Sequence, residues 1–150
     1  IGRELAKKVK ALEMKIIYTD ILGPAKDCPE YTFVSMEQLL TDSDFISLHI
    51  PGNKDKSPVI SKPEFSKMKD GVYLINCARG SVIDEVALLE ALNSGKLAGV
   101  GIDVYPEEPP QNLELISHER VSLTPHIGAS TKEAQKRIGQ EIVSIVKEDI

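Results

Sequence analysis

Five short apolar runs punctuate the chain: KIIYT (15–19), FISLH (45–49), VYLIN (72–76), AGVGID (98–103) and VSLT (121–124). All are too short for helices, and the first three are rich in β-branched and aromatic residues. Near-continuous apolarity predicts strands of a parallel sheet buried on both faces. Around these runs the apolar spacing widens to the helical period. Leu5, Ala6, Val9 and Leu12 share one face of a helix over 3–13. Ser35 with Gln38 forms a capping box, and Ser61 ahead of Pro63 marks a second helix start. Asp84 caps the helix EVALLEALN, and Gly95 suits its end. Ser130 with Glu133 caps a last helix whose Ala134, Ile138, Ile142 and Val146 form one stripe. The proline-bearing stretches 51–60 and 104–120 read as long connections over the sheet edge. Strand alternating with helix predicts an α/β fold: an open, doubly wound parallel sheet with right-handed crossovers.

Composition narrows the partners. The chain has 150 residues, enough for one domain with a real core, and its 27% charged and 41% apolar residues are an ordinary globular mix. A net charge of -5 argues against nucleic acid, whose phosphates require a basic surface. No apolar run approaches the ~20 residues of a membrane span, and no signal peptide is recognisable. The chain opens at Ile1 without a methionine, which fits a fragment or excised domain. Cys28 and Cys77 make no disulfide framework, so a reducing cytoplasm is expected. With His49, His118 and His126 they show no close ligand spacing, so no metal site is expected.

In open parallel sheets, ligands bind beyond the carboxyl ends of the strands. Asp20 follows the first run, His49 and Pro51 the second, Cys77, Ala78 and Arg79 the third, Asp103 with Glu107 and Glu108 the fourth, and His126 the fifth. The opening IGRELAKK reads as the second half of a dinucleotide fingerprint, with Gly2 as the glycine that lets helix and strand approach, or as an ordinary glycine near a helix start. Asp20, 18 residues later at a strand end, suits the ribose hydroxyls of NAD and would repel a 2′-phosphate; otherwise it caps the loop towards Gly23-Pro24. Arg79, flanked by Ala78 and Gly80, is either a surface arginine or a fork for a carboxylate. His126 in TPHIGAST precedes a helix start, where Gly128 offers a free N–H. A carboxylate beside it would orient the imidazole and stabilise its protonated form; Glu108 is the first candidate and Glu107 the rival. His118, among polar residues, reads as solvent-exposed.

Three motifs in order, KDGVYLINCARGSVIDEVALLEAL, GIDVYPEEPP and TPHIGASTKEAQ, resemble the D-isomer-specific 2-hydroxyacid dehydrogenases over essentially the whole chain. The resemblance implies a Rossmann-type NAD-binding domain over 1–150, with the first strand, its two glycines and the substrate domain absent from this chain. It implies that Arg79 binds substrate, that His126 is the acid/base and that Glu108 supports it. Ile1, Gly2, Asp20, Ile50, Cys77, Ala78, Arg79, Asp103, His126, Gly128 and Ala129 match positions that line NAD, Asp103 facing the nicotinamide amide. It further implies a small 2-hydroxy acid substrate and a homodimer joined through the cofactor domains; some members keep the fold as NAD-sensing corepressors.

Overall fold

The computed structural model describes residues 1–148, and every strand pairing in them is parallel. Strands β1 (Ile17–Tyr18) and β2 (Thr32–Phe33) form a two-stranded sheet. Strands β3 (Phe45–Leu48), β4 (Val72–Asn76), β5 (Leu97–Ile102) and β6 (Val121–Leu123) form a second sheet in that order. The helices are α1 (Gly2–Lys10), α2 (Met36–Asp42), α3 (Lys62–Lys67), α4 (Glu85–Asn93), α5 (Leu113–Ile116) and α6 (Lys132–Glu148), with a 3-10 turn at Gly80–Val82. The α/β parallel architecture is the expected one. The single continuous sheet is not: β3 has a strand partner only in β4, and β1 only in β2, among the described residues.

Local chemistry explains most of the element ends. The Asp84 carboxylate accepts the N–H groups of Val86 and Ala87, and Gly95, at φ +78°, follows the last turn of α4. The Glu64 carboxylate accepts the backbone N–H and the hydroxyl of Ser61, tying down the start of α3. Ser35 Oγ accepts the N–H of Gln38, one half of the expected box. At α6 the cap is Thr131, whose Oγ1 accepts the N–H of Ala134, rather than Ser130. Two elements escaped the periodicity argument because they are too short to show a period: β2, and α5 within the 104–120 connection.

The core lies on one side of the main sheet. Leu40 of α2, Phe65 of α3, and Leu88 and Leu92 of α4 pack with Ile46, Leu74, Leu97 and Val100 from the strands. Burial alternates along β4, with Val72, Leu74 and Asn76 buried while Tyr73 is exposed. The opposite face carries Phe45 and Tyr73, register partners whose rings stack 5.1 Å apart. Burial on both faces is therefore not what forms; apolarity of a strand reports what it can bury, not what lies opposite. Helices α1 and α6 contribute no buried residue. Leu12, predicted on the apolar face of the first helix, lies beyond its end and is exposed, as are Ile138, Ile142 and Val146 of the α6 stripe.

This asymmetry predicts unequal mutational costs. Leu74→Ala, at a fully buried site, is expected to lower the free energy of unfolding by about 2–5 kcal/mol. Phe45→Ala, which loses mainly the ring stack, is expected to cost about 1 kcal/mol. Urea denaturation followed by circular dichroism checks this; equal losses would mean that the second face is closed in solution.

Candidate active site

The parallel register sets Leu48 beside Asn76, Asn76 beside Ile102, and Ile102 beside Leu123. The residues that follow these positions consequently leave the sheet along one edge. Ile50 is half-buried there, Ala78 and Asp103 are buried, and Cys77, Arg79, Glu108 and His126 are exposed.

The turn after β4 is shaped by Asn76, a buried polar residue. Its Nδ2 donates to the Arg79 carbonyl at 3.0 Å and its Oδ1 accepts the Ala78 N–H at 3.1 Å. Arg79 is thereby held at the rim, its guanidinium donating to the Ala78 carbonyl. The next residue has to be glycine, because a Cβ on Gly80 would lie 1.9 Å from the carbonyl carbon of Tyr105. The arginine turn and the segment after β5 are in backbone contact. A pocket of about 450 Å3 opens beside Arg79, bounded also by Lys56, Ser81, Tyr105 and Pro106.

From Tyr105 the chain leads to the pair suspected from sequence. Glu108 Oε1 lies 2.8 Å from His126 Nδ1, while its Oε2 lies 3.0 Å away. Glu108, not its rival Glu107, meets the imidazole. An ionised carboxylate only accepts, so Nδ1 carries the hydrogen and Nε2 keeps a lone pair for another group. The His126 hydrogen bond holds the Glu108 carboxyl below its ordinary pKa.

Asp103 is more deeply placed than its neighbours. Its Oδ1 accepts the Thr124 hydroxyl at 2.5 Å and the Ile127 N–H at 2.8 Å, and its Oδ2 accepts the Gly128 N–H at 2.9 Å. Burial pushes its carboxyl up, but these donors outweigh burial and leave the pKa lowered. Behind Cys77, burial and then the Asp103 charge push the thiol up. Burial, followed by the charges of Asp103 and Glu108, raises the Tyr105 phenol, whose hydroxyl donates to the Thr124 carbonyl.

The other sequence-predicted positions are more dispersed. Gly2 is half-buried against His49, and a Cβ there would lie 3.2 Å from the ring. Ile1 is 93% exposed. Asp20 follows β1 of the separate two-stranded sheet, and its Oδ1 accepts the Leu22 N–H. Gly128 and Ala129 are exposed at the head of α6. His118 is half-buried, its Nδ1 accepting the Arg120 N–H; that local turn takes it partly out of solvent. Sequence reasoning passed over Asn76, Tyr105 and Thr124. Only Asn76 left a trace, as a polar residue ending an apolar strand.

These residues fit the dinucleotide that the resemblance implies. A carboxylate has about four acceptor positions; the Asp103 side chain fills three internally and keeps one on Oδ2 for an amide N–H. Gly128 lies against it, a Cβ there standing 3.2 Å from Oδ2, and the first N–H groups of α1, which starts at Gly2, have no partner within the helix.

Comparison with known proteins agrees. The family model described as D-isomer specific 2-hydroxyacid dehydrogenase, NAD binding domain, matches residues 1–128. A hydroxypyruvate reductase of Thermotoga maritima is 44% identical over 100% of this chain and 50% of its own length. The chloroplastic D-3-phosphoglycerate dehydrogenase 2 of Arabidopsis thaliana is 46% identical over 97% of this chain and 24% of its own. Among solved structures, a glyoxylate reductase from Paecilomyes thermophila superposes with a TM-score of 0.91 at 40% identity, covering 98% of this chain and 45% of that one. A D-lactate dehydrogenase from Aquifex aeolicus, complexed with NAD and lactic acid, superposes with a TM-score of 0.87 at 37% identity, covering 98% and 49%. The chain thus spans half or less of the length of these relatives.

The lowered Asp103 pKa gives stability a pH dependence. A depressed carboxyl stabilises the fold above its unfolded pKa, and that contribution is lost as pH falls through the folded value. Wild-type stability is expected to fall progressively below about pH 4. Asp103→Asn is expected to be less stable at neutral pH and flatter across the acid range, as urea titrations at successive pH values would show.

Proposed function

The chain belongs to the D-isomer specific 2-hydroxyacid dehydrogenases through their NAD-binding domain, and on that premise we propose that it is the cofactor half of an enzyme oxidising D-3-phosphoglycerate to 3-phosphohydroxypyruvate. The observation that carries the reading is the His126–Glu108 pair on the same rim as Arg79. It provides a proton acceptor and a carboxylate clamp, the two things that oxidation of a hydroxy acid asks of a protein. The motifs CARG, EEPP and HIGASTKEAQ, together with the similarity to named D-3-phosphoglycerate dehydrogenases, support this substrate. A hydroxypyruvate or glyoxylate reductase is the second reading, favoured by relatives of those names. The same proposal makes the enzyme a cytoplasmic homodimer at the first step of serine biosynthesis. The substrate domain and the strand beside β3 would lie outside these 150 residues.

NAD would supply the hydride acceptor for oxidation at the substrate's second carbon. The groups that would hold it are Ile1 and Gly2 at the head of α1, Asp20 after β1, Ile50, Cys77, Ala78, Arg79 and Asp103 beyond the strands of the main sheet, and His126, Gly128 and Ala129 ahead of α6. In oxidation, His126 Nε2 takes the hydroxyl proton, and Glu108 stabilises the imidazolium that results. Arg79 bonds the substrate carboxylate and the developing carbonyl oxygen, where a planar fork serves better than a point charge. In reduction the imidazolium returns the proton.

The full-length protein, assayed with NAD and a panel of 2-hydroxy acids, is expected to turn over D-3-phosphoglycerate fastest, and Arg79→Lys to lower turnover by about 10²-fold or more. Preference for glycerate or glycolate would select the second reading, and near-normal Arg79→Lys kinetics would remove the arginine from the mechanism. Asp20→Ala is expected to weaken NAD binding and narrow its advantage over NADP; a wild type that already prefers NADP would refute the role given to that carboxylate.

A further inference from the structure

We infer that Asp103 is a positioning residue for His126, gripping the loop on both sides of the histidine so that its imidazole meets Glu108. The inference rests on the reading of His126 as proton carrier and adds how that side chain is kept in place. His126 stands at φ +54°, in the left-handed region that few non-glycine residues adopt. It is exposed, so neither packing nor burial holds it.

What holds it is one buried carboxylate. Two residues before His126, the Thr124 hydroxyl donates to Oδ1 of Asp103. One and two residues after it, the N–H groups of Ile127 and Gly128 donate to Oδ1 and Oδ2. Gly128 can approach this closely because it lacks a Cβ, which would stand 3.2 Å from Oδ2. Tyr105 adds a fourth tie from the same strand exit, its hydroxyl donating to the Thr124 carbonyl. Glu108 lies five residues beyond Asp103 on that exit. One segment therefore supplies both the grip on the loop and the carboxylate that meets the imidazole. If the grip were released, the loop would relax towards ordinary backbone angles and Nδ1 would leave Glu108.

Thr124→Val separates positioning from fold stability, since it removes one donor to Asp103 and keeps the side-chain shape. In the full-length enzyme it is expected to lower kcat about tenfold with KM for NAD nearly unchanged. The limb of the kcat–pH profile that belongs to His126 should move, and amide exchange at Ile127 and Gly128 should quicken by more than at core amides such as Leu74, while the thermal midpoint, lowered by the lost bond, stays well above the assay temperature. Asp103→Ala is expected to cost about 10²-fold in kcat, and Asp103→Asn, which retains one acceptor oxygen, to recover part of that. Wild-type kcat and pH profile in Thr124→Val and Asp103→Asn would overturn the inference. So would losses that merely track the unfolded fraction. Absence of wild-type turnover on every 2-hydroxy acid would sink the parent reading instead; amide exchange around His126 in Asp103→Ala would then decide, and unchanged exchange would overturn the positioning role.

Discussion

Parallel strands in register leave the sheet on the same side, and most of this site follows from that constraint. Leu48, Asn76, Ile102 and Leu123 stand in one row across the main sheet. Residues far apart in the chain are delivered to one rim without any contact having to draw them there. The contacts that do form refine the position: Asn76 folds the arginine turn back on itself, and Asp103 draws in the loop beyond β6. Both are buried polar groups with their hydrogen bonds satisfied, which in a low-dielectric setting makes each arrangement specific as well as stable.

Four of the five strand runs became the main sheet, and Arg79, Asp103 and His126, which follow three of them, stand beyond its aligned strand ends. Such features are legible because they depend on period and order alone. The meeting of Glu108 with His126, and not Glu107, depends on the path of the backbone after Tyr105, which no spacing rule encodes. The Asn76 and Thr124 bonds are equally opaque, since a short polar side chain has the same appearance in sequence whether it faces water or a buried acceptor. Asp20 caps the loop after β1 by accepting the Leu22 N–H, the local role its position had allowed beside a ligand-binding one.

The sheet is finished on one face and open on the other. Helices α2, α3 and α4 cover the inner side with a closed apolar layer, while Phe45 and Tyr73 stack in the open on the outer side. The stripe on α6 remains exposed as well. Amphipathic patterning thus identified these surfaces as apolar but could not identify their partners. The site lies on the finished part of the molecule, where the strand ends are braced from beneath by the core.

The approach of Gly80 to the Tyr105 backbone has a bearing on how such proteins diversify. Because the arginine turn and the strand exit leading to Glu108 touch main chain to main chain, neither can shift to suit a new ligand without dislodging the other. The turn that bears Arg79 and the segment that leads to Glu108 are thereby held in one fixed relation. Relatives with different substrate names share this half of the fold closely. Under the proposed function, discrimination among substrates would fall to whatever closes over the rim from above, and new specificities could evolve there without disturbing the chemistry beneath.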